Sequence, residues 1–76
     1  MNEDRFRNYL LDLGNILREK AVIAMHEKQR NSDAYNIGYL MALHGVISLM
    51  QHQANQFSIT LDEINLDGID PEIDLL

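Results

Sequence analysis

Two apolar stripes at helical spacing, joined by one short polar break, constrain this chain more than any other feature. In the first, Phe6, Leu10, Leu13, Leu17 and Ala24 recur at helical intervals, with Tyr9, Ile16 and Ile23 beside them. Residues at such intervals share one side of a helix. Glu3 and Asp4 open this segment and Lys28 and Arg30 close it, the polarity a helix dipole favours. The pattern predicts a helix over about residues 3–30. Leu11, Val22 and Met25 fall on a second side, so more than one neighbour is needed to cover this helix. Gly14-Asn15 interrupts the run, and Gly costs about 1 kcal/mol against Ala mid-helix, so a kink there is the alternative; a continuous helix is the expectation.

The second stripe comprises Tyr35, Tyr39, Ala42, Leu43, Val46, Met50, Ala54 and Phe57 and predicts a helix over about residues 33–56. Leu40, Ile47 and Leu49 widen it to about half the circumference, beyond the ~100° arc of an ordinary surface helix. The break between the stripes, Asn31-Ser32-Asp33, consists of good N-cap residues. A connection this short favours an antiparallel neighbour. Ala34, Gly38, Ala42 and Gly45 form a strip of small residues along which another helix axis can approach closely.

A chain of 76 residues makes one domain at most. It buries only about 60–65% of its unfolded surface, and small domains without disulfides or metals often gain stability by oligomerising. The expected fold is therefore all-α. Residues 1–57 form an antiparallel helical hairpin and residues 58–76 a short helical C-terminal segment, with two copies dimerising into a four-helix bundle. The residues expected to pack in that homodimer are Leu10, Leu13, Leu17, Tyr35, Gly38, Tyr39, Ala42, Val46, Met50 and Phe57.

Charge divides the chain sharply. Residues 1–57 carry six acids and six bases, and the last base is Arg30. Asp62, Glu63, Asp67, Asp70, Glu72 and Asp74 therefore account for the whole net charge of -6. The same segment is rich in apolar residues: Ile59, Leu61, Ile64, Leu66, Ile69, Ile73, Leu75 and Leu76. Thr60-Leu61-Asp62-Glu63 matches a capping box, in which Thr60 caps the backbone and Glu63 reaches back. It predicts a short helix ending near Asp67-Gly68, with Gly68 as a left-handed C-cap. Asp70-Pro71 predicts a second start, with Asp70 as N-cap and Pro71 at the first helical position.

Little in the sequence points to catalysis or metal chemistry. There is no cysteine, hence no disulfide framework and no thiolate. Ser32 and Ser48 have no recognisable elbow or base-and-orienter arrangement, and no glycine-rich phosphate loop is present. From Glu63 to Asp74 the residues can be set in calcium-loop register, with Glu63, Asn65, Asp67 and Asp74 at ligand positions and Gly68 at the tight turn. The match is faulty, with Glu at the first ligand, Asp at the last and Pro71 within the loop, so two successive caps are the preferred reading. His44 and His52 stand eight residues apart with no ligand partner, so no zinc site is expected and solvated or hydrogen-bonded surface histidines are the first reading. The sharper alternative is contact between one of them and a tail carboxylate. No cofactor, no metal and no enzymatic activity are expected.

The acidic balance argues against direct contact with a nucleic-acid backbone. Met1-Asn2-Glu3-Asp4-Arg5 lacks the pattern of a signal peptide, and no apolar run approaches a membrane span, so a soluble cytoplasmic protein is expected. Two functions follow. In the first, the tail engages a protein with a basic surface, as an inhibitor, antitoxin, antirepressor or immunity-like factor does. The residues expected to carry this are Asp62, Glu63, Leu66, Asp67, Ile69, Asp70, Glu72, Ile73 and Asp74. In the second, the chain is a structural homo-oligomeric accessory protein whose tail folds back and completes its own core. No motif ties the chain to a family of known activity.

Overall fold

The computed structural model describes residues 2–75; Leu76, counted above among the apolar tail residues, lies outside the described residues. Helix α1 spans Asn2–Arg30, α2 spans Ala34–Gln56, a 3-10 turn spans Leu61–Ile64 and a single-turn helix α3 spans Pro71–Asp74. No strand occurs among the described residues. No helix among them is long and apolar enough to cross a membrane.

Local chemistry explains most of the boundaries. Asp33 is the N-cap of α2, and its carboxylate accepts the Asn36 backbone N–H at 2.8 Å. The connection is fastened further by Ser32 Oγ donating to the Lys28 carbonyl at 2.7 Å and Asn36 Nδ2 donating to the Asn31 carbonyl at 2.8 Å. At the other end of α2, Ser58 adopts a left-handed conformation with φ 57°. Its N–H reaches the Asn55 carbonyl at 3.2 Å, and that of Ile59 reaches the Ala54 carbonyl at 2.8 Å. That pair of bonds is a Schellman ending with serine where glycine is usual. It turns the chain back along the hairpin.

One local expectation holds through α1, and two in the tail need correction. Helix α1 runs unbroken through Gly14, as expected. Thr60 makes no side-chain cap; its hydroxyl instead donates to the Glu63 carboxylate at 2.9 Å. The turn that follows is 3-10 and ends at Asn65, which takes the left-handed position at φ 59°. Gly68 is also left-handed, at φ 74°, but inside the loop leading to α3. Asparagine tolerates this region because its short amide can bond locally, and so it ended the turn earlier than the glycine suggested. The Asp70-Pro71 start is as expected: Asp70 is the N-cap and accepts the Glu72 N–H at 3.1 Å, with Pro71 at the first turn.

The two long helices lie antiparallel. Leu10, near the start of α1, shares a cleft with Met50, Ala54 and Phe57, while Ala24, near its end, shares one with Tyr35 and Tyr39. Ala21 and Ala24 put little bulk on the side of α1 where Leu40, Leu43 and Ile47 of α2 join them in one buried cluster. The core is completed by the tail. Leu66, at 0% exposure, is as deeply buried as Leu40 and Ile47, and Ile64, Pro71 and Leu75 are buried with it. The molecule measures 45 × 20 × 17 Å. At about 10–12 Å per helix this is one layer of two helices with the tail laid along one side.

Candidate functional site

The tail is held by atoms of both helices. On α1, Gly14 lies directly beneath the Ile64 carbonyl, and a Cβ at that position would overlap the oxygen. One turn further on, Arg18 donates through Nε to the Asn65 carbonyl at 2.9 Å. It also donates through Nη2 to the Asp67 carbonyl and stands 3.3 Å from the Asp67 carboxylate. Asn65 Nδ2 returns a bond to the Leu11 carbonyl at 3.3 Å. On α2, Gln51 Nε2 donates to the carbonyls of Leu66 at 3.0 Å and Ile69 at 2.8 Å. These side chains satisfy carbonyls that the irregular tail cannot pair within itself.

His44 is half-buried beside the tail, with Nε2 3.5 Å from the Glu72 carboxylate. That separation is within ion-pair distance, but Nε2 is buried and makes no hydrogen bond with the described residues. The reading of His44 as a solvated residue is therefore corrected, and the contact with a tail carboxylate is what the fold contains. His52 is exposed.

The residues assigned to partner binding separate by direction. Asp62, Glu63, Asp67, Asp70, Glu72 and Asp74 are exposed. Ile73 is 76% exposed among them. Ile69 is half-buried, and Leu66 is at the centre of the core. The tail thus splits into an apolar inner side and an acidic outer side. The calcium-loop register finds its side chains engaged elsewhere: Asn65 with Leu11, Asp67 with Arg18, and Asp74 with the Asp70 N–H at 2.9 Å. Among the described residues no three His, Asp or Glu side chains are grouped to hold a metal ion.

The residues assigned to oligomer packing also separate. Leu10, Leu17 and Met50 pack against the intramolecular core. Leu13 is half-buried. Tyr35, Tyr39, Val46 and Phe57 are exposed. Gly38 and Ala42 are exposed too, and nothing lies within 4 Å of a Cβ built on Gly38. Ile37 and Met41, elsewhere on α2, are exposed as well.

Tyr35, Tyr39, Ala42 and Val46 belong to a larger face. Ile16 is two residues beyond Gly14, about 200° around the helix, so it points away from the tail. Leu49 stands in the same relation to Gln51 on α2. On this side α1 presents Phe6, Tyr9, Leu13, Ile16, Lys20, Ile23 and Glu27, spaced alternately three and four apart. Tyr35, Tyr39, Ala42, Val46, Leu49 and Gln53 repeat the alternation on α2. That spacing is the heptad of helices that pack along a seam. From Ala34 to Gln56, α2 contains no Asp, Glu, Lys or Arg at all.

Periodicity alone did not reveal Gly14, Arg18, Gln51 and Asn65 as the residues that seat the tail. The available signals were a glycine in the interior of a strong helix, a mark of close backbone approach as well as of a bend, and the bases of α1, Arg18 among them, as candidate receivers of an acidic tail. Compared with known proteins, the chain matches no family model, no curated protein and no solved structure.

Proposed function

We propose that this chain is a small non-enzymatic protein-interaction module. Its hairpin is completed by its own tail, pairs with a second copy into a four-helix bundle, and presents the outer side of the tail to a protein with a basic surface. The observation that carries this reading is the division of one segment into two sides. Ile64, Leu66 and Leu75 are buried, whereas the six tail carboxylates face solvent. Among the described residues, Asp67 alone of those six has a Lys or Arg within ion-pair distance, and Glu72 has the His44 imidazole beside it. A set of like charges on a fixed scaffold repels itself and steers a cationic partner to it. This is the working mode of an inhibitor or immunity-like factor that occupies a basic site.

The test is capture of a partner by the full chain and by a variant in which the six acids become amides (Asp62→Asn, Glu63→Gln, Asp67→Asn, Asp70→Asn, Glu72→Gln, Asp74→Asn). Salt-sensitive capture by the natural chain, lost in the folded amide variant, is expected. Equal capture by both contradicts the reading. A second reading, a structural homo-oligomer in which the tail serves only the core, is favoured by the heptad face opposite the tail. Self-association unaffected by the amide substitutions, with no captured partner, would select it.

A further inference from the structure

We infer that the face opposite the tail is the docking surface for a second copy of this chain, with the heptad positions of α1 and α2 forming the seam. This rests on the oligomeric part of the reading above and assigns it a surface.

The exposed area is too large for a monomer to leave bare. Phe6, Tyr9, Tyr35 and Phe57 are 65–73% exposed. At roughly 200 Å² for a whole aromatic side chain, these rings alone leave on the order of 500 Å² uncovered. Contiguous apolar patches of a few hundred Å² are already the upper end for monomeric proteins. The aliphatic residues between the rings bring the face towards the ~800 Å² that each partner contributes to a standard interface.

Its pattern suits a like helical pair. Two parallel rows of heptad positions, one on each helix of the hairpin, are half of a four-helix seam. Apolar clefts open between the rows, one bounded by Ile23, Tyr35 and Tyr39, which can receive knobs from facing helices. Charge points to a second copy rather than to the basic partner. The six tail acids lie on the far side, so they draw no cation to this face. The face itself carries Lys20 and Glu27 on α1, and α2 contributes no Asp, Glu, Lys or Arg to it, so two copies meet without net repulsion.

The test is mass in solution by sedimentation. The full chain is expected at twice its 8.8 kDa mass at micromolar concentration. Ile23→Glu with Leu49→Glu is expected to give a monomer with unchanged helical circular dichroism, since both side chains are already exposed. Met41→Glu, equally exposed but about 140° around α2 from Val46, is expected to remain a dimer. A monomeric natural chain overturns the oligomeric reading and this face together. A natural dimer that survives the double substitution overturns the face alone. If the double variant loses its helical signal, a nitroxide on Leu49→Cys, in a chain without other cysteines, replaces it. An inter-copy distance below about 30 Å is expected for helices packed 8–10 Å apart, and absent dipolar coupling in a dimeric sample overturns the face.

Discussion

The carbonyl oxygen of Ile64 occupies the space that a side chain on Gly14 would fill. This places the backbone of the tail directly on the backbone of α1. It also explains why a residue unfavourable to helices sits in the interior of a 29-residue helix. Gly14→Ala gains about 1 kcal/mol in helix propensity but forces the tail away, and a net loss of about 1–3 kcal/mol is expected. Gly45→Ala, with open space around its Cβ, is expected to stabilise by about 0.5–1 kcal/mol. Urea denaturation of the two variants reads the contrast, and stabilisation by both would refute the close approach.

Gln51 is the only described side chain that reaches two tail carbonyls from α2, those of Leu66 and Ile69. Gln51→Ala leaves both part-buried oxygens without this donor, at an expected cost of about 1–3 kcal/mol. Hydrogen exchange is expected to quicken over residues 64–75 while the hairpin connection stays protected. Arg18→Lys should fail to restore what Arg18→Ala loses, because a single ammonium cannot reproduce the fork that spans Asn65 and Asp67.

The hairpin itself was legible in the sequence. Stripe spacing, the caps Asp33 and Asp70, and Pro71 locate α1, α2 and α3 closely. What the stripes could not do was apportion their width. Leu10, Leu13 and Leu17 stand on neighbouring arcs of one helix, yet Leu10 and Leu17 pack against the core cluster while Leu13 turns towards the uncovered face. Periodicity records that a side is apolar, not whether its neighbour is the same chain's helix, its tail or another molecule. The mixed tail was harder still. Acids and isoleucines alternate too irregularly to assign sides, and Arg18 and Gln51, which decide its seat, look like ordinary surface residues until the fold brings them to it.

Ser58 holds a left-handed conformation that glycine adopts without penalty. Ser58→Gly is expected to raise stability by a few tenths to about 1 kcal/mol, the relief of strain outweighing the added freedom of the unfolded chain. Thermal unfolding measures it, and a lowered midpoint would show that the serine side chain contributes more than its backbone costs.

Two tail residues separate the segment's structural and outward sides. Leu66→Ala removes a fully buried side chain and is expected to cost about 2–5 kcal/mol. Ile73→Ala, at a position 76% exposed, is expected to change stability by less than about 0.5 kcal/mol. Chemical denaturation of both distinguishes a tail built into the core from one lying loosely upon it, for which the two losses would be alike.

The most direct test of the account is an isotope-filtered NOE experiment on a mixture of labelled and unlabelled chains. The predicted result is a contact between Gly14 Hα and Asn65 within the labelled chain and none between chains, as expected of a tail folded onto its own hairpin. A contact found only between chains, or random-coil shifts throughout residues 59–75, would contradict it.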